Sequence, residues 1–152
     1  MKKLRIYLDT SVIGGYFDDE FSAFSQLLIR QCKAGKFTTL ISPVLIEELE
    51  KAPIWIQDVL KSIPIEYSER LAFHPSIKSL AEKYLIRKVL PKKSDVDALH
   101  IAYATYFGAD ILVSWNFKHI VNFQRIHLIH AVNIENHYQP IDIFSPREVL
   151  GC

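Results

Sequence analysis

A chain of 152 residues, 49% of them hydrophobic, can bury one real core and is too short for two comfortable ones, so a single domain spanning residues 1–152 is expected. Its 18 basic residues nearly cancel 17 acidic ones, so net charge neither announces nucleic-acid binding nor excludes a local basic groove. The two cysteines, Cys32 and Cys152, lie too far apart in character and sequence to suggest a disulfide framework. The Met-Lys-Lys start lacks the apolar stretch of a signal peptide, and no apolar run approaches membrane-spanning length. A soluble protein of the reducing cytoplasm, with no membrane association, is the expectation.

Taken in chain order, Leu4-Arg5-Ile6-Tyr7-Leu8 reads as a buried central strand that ends at Asp9-Thr10-Ser11. Phe21 to Ala34 carries Phe21, Phe24, Leu27 and Leu28 at helical spacing, and Gly35 supplies the C-cap. Thr38 to Ile41 is a second β-prone run. Ser42-Pro43 then gives an N-cap followed by proline at the first helical position, opening a helix that contains Glu47, Glu48 and Glu50. Pro53 and Pro64 bracket a short helix, and His74-Pro75 opens another that ends near Lys88. Several helices are thus expected between the second strand and the next.

Ser94 to Phe107 is the best-defined helix, stopped by Gly108, and Ile111-Leu112-Val113 follows as a buried strand. Asn116 is read as opening a helical turn through His119 and Ile120, Ile126 to Val132 as reaching a further strand, and Ile141-Asp142-Ile143 as β-prone. A last helical turn is expected after Pro146. Strands alternating with helices imply an α/β fold with a central, mainly parallel sheet, in which ligands bind beyond the carboxyl ends of the strands.

Three acids fall where such a sheet gathers side chains: Asp9 after the first strand, Glu48 in the helix after the second, and Asp97 in the first turn of the long helix, with Asp95 a possible fourth. Carboxylates packed together raise one another's pKa unless a cation neutralises them, and hard oxygen donors select Mg²⁺ or Mn²⁺. A Mg²⁺ ion held by few carboxylates keeps waters, one of which can act as the nucleophile on a phosphate. Each acid also has an ordinary reading. Asp9 can organise a turn with Thr10 and Ser11, the three glutamates can form a solvated helix face, and Ser94 with Asp97 matches a capping box.

With Asp9, Glu48, Asp97 and Asn116 in order, the chain resembles the PIN domains, the nuclease family that includes the toxins of VapC-type toxin-antitoxin pairs. The resemblance is carried by Leu8-Asp9-Thr10-Ser11-Val12-Ile13, by Ile41-Ser42-Pro43 through Glu48-Leu49, by Asp97-Ala98-Leu99-His100-Ile101-Ala102 and by Leu112-Val113-Ser114-Trp115-Asn116-Phe117. It implies a three-layer α/β/α sandwich, a metal site of Asp9, Glu48 and Asp97 that takes Mg²⁺ or Mn²⁺, an RNA substrate, and a homodimer neutralised by a protein antitoxin. Where many members have a fourth acid after the last core strand, this sequence has Asn116, which can coordinate through its carbonyl but adds no charge. That departure weighs against a second metal, unless Asp95 compensates. Thr10 or Ser11 could orient Asp9 or hold a water, and Glu47 competes with Glu48 by one residue.

Among other candidates, Arg87, Lys88, Lys92 and Lys93 form a short basic run that either contacts phosphates or is simply solvated. Trp115 and Phe117 either stack on bases or pack in the core, with packing the default. His100, one turn after Asp97, either touches the site or is structural. His127 and His130 lack the partners of a zinc site, and the chain has neither GxGxxG nor a P-loop. The sequence is therefore read as a metal-dependent endoribonuclease using Asp9, Glu48 and Asp97, with Asn116 and Asp95 secondary. Two rivals stand beside it: a non-catalytic RNA- or protein-binding module of the same fold, and a nuclease acting on DNA.

Overall fold

The computed structural model describes residues 2–151. Five strands, β1 (Arg5–Leu8), β2 (Thr38–Ile41), β3 (Ser68–Arg70), β4 (Ile111–Val113) and β5 (Asp142–Phe144), form one sheet in the order β3-β2-β1-β4-β5. Every neighbouring pair is parallel. Parallel neighbours require long crossovers, and among the described residues these carry α1 (Thr10–Gly14), α2 (Ser22–Lys33), α3 (Pro43–Glu50), α4 (Ile54–Lys61), α5 (Pro75–Ile86), α6 (Asp95–Tyr106) and α7 (Phe123–Glu135), while α8 (Pro146–Leu150) follows the last strand.

Strand alternation divides the core between the two faces of the sheet. Tyr7, Leu40, Leu112 and Ile143 point to the face covered by α5, α6 and α7, where they meet Ile77, Leu80, Ile101 and Ile129. Ile6, Leu8, Ile41, Ile111 and Val113 point to the other, against Val12 and Ile13 of α1, Leu28 and Ile29 of α2, Leu45 and Leu49 of α3, and Val149 of α8. The result is a three-layer α/β/α sandwich. Ile6, Tyr7 and Leu8 have no exposed surface, as expected of a central strand covered on both faces.

Arg5 fastens the N-terminal end of β1. Its Nε and Nη2 donate to Glu69 Oε2 on β3 at 2.9 and 2.8 Å, and its Nη1 donates to the carbonyls of Phe107 and Gly108 just past α6. Ser42 caps α3 ahead of Pro43, accepting from Leu45 N at 3.2 Å. Ser145 and Glu148 form a reciprocal capping box on α8.

The structure departs from the sequence expectations at three places. Ser68-Glu69-Arg70 is a strand, which its polar composition conceals: it is three residues long, lies at the sheet edge and buries little. Residues 126–132 belong to helix α7 and not to a strand, because Asn122 caps Arg125 N and Ile126, Ile129 and Val132 fall on one helical face. Asn116 does open a single hydrogen-bonded turn as expected, with the amides of Ile120 and Val121 both donating to its carbonyl. Ser94 stands at the N-cap of α6 without a side-chain capping bond, so Asp97 is not tied into a capping box. Among the described residues no helix is long and apolar enough to cross a membrane. Cys32 is buried as a free thiol pushed up to about 11 by that burial, and Cys152 lies outside the described residues.

Two glycines with positive φ separate backbone from packing. Gly108 (φ +64°) has open space where a Cβ would stand, whereas at Gly35 (φ +79°) that Cβ would lie 2.7 Å from the Tyr67 ring. Gly108→Ala is expected to cost about 1–2 kcal/mol from the left-handed backbone alone, and Gly35→Ala roughly 1–3 kcal/mol more from overpacking. Urea unfolding of both variants checks this; equal losses would show that the Tyr67 ring yields freely.

Candidate active site

The sheet order reverses direction at β1, so the switch point at which open α/β sheets bind ligands lies between the carboxyl ends of β1 and β4. Asp9 sits there. Its amide donates to Val113 O at 3.2 Å, which continues the parallel ladder one residue past β1 and sets Asp9 beside Ser114. Its backbone is extended, and it is the N-cap of α1. The residue is 3% exposed. Oδ1 accepts from Ser11 Oγ at 2.5 Å and from Val12 N at 3.3 Å, and Oδ2 accepts from Ser114 Oγ at 2.5 Å. The two hydroxyls are themselves aimed, because Trp115 N donates to Ser11 Oγ and Asn116 N to Ser114 Oγ, each at 2.9 Å. Burial pushes the Asp9 carboxyl up; the nearby His100 imidazole and these hydrogen bonds pull down without cancelling it. Asp9 thus fills its ordinary role as a cap and remains a buried acid.

Asp97, half-buried in the first turn of α6, reaches the same place from the other layer. Its Oδ2 accepts from Asn116 Nδ2 at 3.3 Å, and no hydrogen bond is formed by Oδ1 among the described residues. Its pKa is raised, first by burial and then by the Asp9 carboxylate, with Glu48 adding to the effect while His100 and His119 oppose it. Asp95 is exposed, about 200° round the helix from Asp97, and the neighbours that move the Asp97 pKa do not include it.

Glu48, on α3, is half-buried and Glu47 is exposed, so it is Glu48 that turns inward. Its Oε1 accepts from the Thr10 hydroxyl and lies 2.5 Å from His100 Nε2. Burial raises this carboxyl, but the bonds from His100 and Thr10 outweigh it, and the net shift is downward. The adjacent hydroxyls Thr10 and Ser11 therefore serve different acids. His100 is 2% exposed, and its Nδ1 lies 2.6 Å from the Tyr7 hydroxyl. Asn116 is turned inward too: Oδ1 accepts from His119 N at 3.0 Å while Nδ2 serves Asp97.

His119 was not legible as a site residue. It is half-buried, it acts on Asp97, and its Nδ1 is a buried atom without a hydrogen-bond partner. The available signal was its position three residues after Asn116, inside the turn that Asn116 opens. Trp115 is a core residue, stacked on Phe21 at 4.3 Å and donating to Ser25 Oγ at 2.8 Å, whereas Phe117 is 48% exposed. Arg87 pairs with Glu135 across to α7. His130 Nε2 lies 2.8 Å from Ile141 O, and His127 packs edge-on against Phe123. A cavity of about 510 Å³ beside α3 and α4, lined by Leu49, Leu60, Ile63 and Ile65 among others, contains none of Asp9, Glu48 and Asp97.

Among the described residues, no three His, Cys, Asp or Glu side chains stand close enough together to hold a metal ion as placed. The donor chemistry still suits a hard cation. Asp9 and Asp97 repel each other in a partly dry setting, Oδ1 of Asp97 is open, and Mg²⁺ is commonly held by one or two carboxylates with water completing its shell.

No known family model matches the sequence, and no curated protein does either. The fold is similar to that of a chain in the crystal structure of VapBC2 from Rickettsia felis bound to a DNA fragment from their promoter. The identity is 17%, the TM-score is 0.54, and the alignment covers 93% of this chain and 98% of the other. The architecture is accordingly PIN-like, with a sheet that is parallel throughout.

A carboxyl whose pKa is raised by folding favours the native state only while protonated, so this contribution is lost as pH rises from the unfolded value through the folded one. Asp97→Asn is therefore expected to raise the melting temperature of EDTA-treated protein at pH 7, by about 2–4 °C for each kcal/mol of repulsion and desolvation relieved. The gain should fade below pH 4, where wild-type Asp97 is protonated in both states. Thermal melts across that range test it; a variant less stable than wild type at pH 7 would mean that the helix N-terminus compensates the charge fully.

Proposed function

We propose that this chain is a metal-dependent endoribonuclease that hydrolyses RNA phosphodiester bonds at Asp9, Asp97 and Glu48. The observation that carries the reading is the meeting of Asp9 and Asp97 at the switch point, where burial holds the Asp9 carboxyl above the usual range and burial together with the Asp9 charge does the same to Asp97. Natural proteins keep such costly arrangements chiefly at functional sites. When bound there, Mg²⁺ or Mn²⁺ supplies charge stabilisation on the phosphate oxygens and an activated water.

The chain's own groups divide the remaining work. Ser11, Ser114 and the Val12 amide fix the plane of the Asp9 carboxylate, so it would hold a cation without a conformational search. Asp97 offers its open Oδ1. Glu48, kept ionised by Thr10 and His100, retains Oε2 for the site. Asn116 steadies Asp97 through its amide while adding no charge, which favours one ion over two. Asp95, exposed on α6, is assigned at most an outer role in metal attraction.

The VapC-type resemblance and the fold shared with VapBC2 support a toxin role, with a protein antitoxin as partner and a homodimer as the assembly. RNA chemistry and a free Cys32 thiol accord with the cytoplasm. A second reading, a non-catalytic module that binds RNA or protein, is favoured by one observation: Glu48 Oε1 and Asn116 Oδ1 are already engaged by His100 and His119.

The deciding experiment is cleavage of labelled RNA and DNA oligonucleotides with Mn²⁺ by wild type, Asp9→Asn and Asp97→Asn, purified identically. RNA cleavage that falls by roughly 10²-fold or more in both variants, with folding intact, is expected. Equal cutting by the variants would overturn the site, cleavage of DNA in preference to RNA would overturn the substrate, and Mn²⁺ binding too weak to detect would favour the binding module.

A further inference from the structure

We propose that His100 is a positioning residue of this site, its imidazole locked as the Nε2–H tautomer by a one-way chain of hydrogen bonds so that it holds Glu48 in a fixed orientation. The inference rests on the nuclease reading for its purpose, but not for its geometry. Leu45 N donates to Ser42 Oγ at 3.2 Å, Ser42 Oγ lies 2.6 Å from the Tyr7 hydroxyl, that hydroxyl lies 2.6 Å from His100 Nδ1, and His100 Nε2 lies 2.5 Å from Glu48 Oε1. Ser42 and Tyr7 have no exposed surface, and His100 is 2% exposed. Water is therefore not at hand to satisfy a group left over.

Proton counting gives the chain its direction. Each hydroxyl carries one proton. Ser42 Oγ already accepts from Leu45 N, and its own proton has the Tyr7 oxygen as its acceptor. The Tyr7 proton must then point to His100 Nδ1, which has to be bare, and the ring proton stands on Nε2 and is donated to Glu48. The opposite direction fails at both ends. It leaves the buried Ser42 proton without an acceptor, and with one ring proton on Nδ1 it sets a bare Nε2 against a carboxylate oxygen at 2.5 Å. A buried donor or acceptor left without a partner is what folded proteins avoid.

The consequence falls on Glu48. Its Oε1 receives two donors, from His100 and from Thr10, so the carboxylate is held and Oε2 is the oxygen left to hold a cation. The Tyr7 phenol can serve as a permanent donor because burial pushes its pKa well above the ordinary value. The chain begins at the cap of α3 and ends on a side chain of the same helix, so the residue that starts α3 also governs where its acid points.

The test is nitrogen-15 NMR of the imidazoles in EDTA-treated protein, together with Mn²⁺ titration calorimetry, on wild type, Tyr7→Phe and Tyr84→Phe. Tyr84 is the control: its buried hydroxyl serves Asn133 and Thr105, on the same face of the sheet but away from the acids. Wild-type His100 should show a protonated Nε2 and a bare Nδ1. Tyr7→Phe should move the Nδ1 resonance to that of a bare nitrogen with no hydrogen bond and, with the ring freed at that end, weaken Mn²⁺ binding by about 10–100-fold, as removal of an orienting partner does. Tyr84→Phe should lose stability and leave both readouts alone. A wild-type ring protonated on Nδ1, or on both nitrogens, would overturn the proposal, as would a Tyr7→Phe variant indistinguishable from Tyr84→Phe. If wild type shows the Nε2–H ring and binds no Mn²⁺, the hydrogen-bond assignment is upheld and the metal reading of the preceding subsection fails.

Discussion

The bond from the Asp9 amide to the Val113 carbonyl, one residue beyond the end of β1, is the constraint on which the site depends. It continues the parallel register past the strand, and so decides that Asp9 and Ser114 stand side by side instead of diverging into separate loops. From that pairing follow the burial of the carboxylate, the approach of both serine hydroxyls and the placement of the Asn116 amide against Asp97. A slip of one residue in a parallel ladder exchanges the faces of every side chain, which here would bury a polar set where Ile6 and Leu8 now pack.

The three acids solve the cost of burial differently. Asp9 is surrounded by short, rigid donors from its own turn and from the neighbouring strand end, Glu48 by a histidine and a threonine, and Asp97 by a single amide at 3.3 Å. Compensation is thus fullest at Asp9 and Glu48 and thinnest at Asp97. The pKa directions follow that gradient only in part: Glu48 is drawn down, while Asp9 stays high despite its three donors because its burial is complete. A hydrogen bond offsets desolvation of a charge, but a fully enclosed carboxylate needs more than hydroxyls to recover what water supplied.

Much of this was legible in the residues, and what was not has identifiable causes. Strands β1, β2 and β4 are short apolar runs bounded by turn residues, and Ser42-Pro43, Gly35 and Gly108 mark their helices by capping chemistry that tertiary context did not override. Strand β3 was hidden because an edge strand of Ser-Glu-Arg needs neither alternation nor apolar side chains; Arg5 recruits it through a charge pair 64 residues away in sequence. The stretch from Ile126 to Val132 misled because its many apolar residues fit either period, and the deciding signal was Asn122 as a cap. At the site, residue types and spacing located Asp9, Glu48 and Asp97 near one sheet edge, but could not tell which hydroxyl served which acid. The Tyr7 contribution was invisible, since a tyrosine inside an apolar strand reads as core.

The sheet order has a consequence for synthesis. β1 precedes the other four strands in the chain, yet it is the middle of the finished sheet, flanked on one side by β2 and on the other by a strand that begins at Ile111. Until that later strand arrives, one edge of Ile6-Tyr7-Leu8 has no partner, and the chain carries an apolar strand with an unpaired edge while the intervening segment is made, a state in which non-local sheets are slow and exposed to aggregation. The same delay governs the chemistry. The serine that completes the surroundings of Asp9 lies 105 residues further along the chain, so a nascent chain cannot assemble the site before the segment following β4 has been made. The acids are therefore brought together only when the sheet closes, for purely topological reasons.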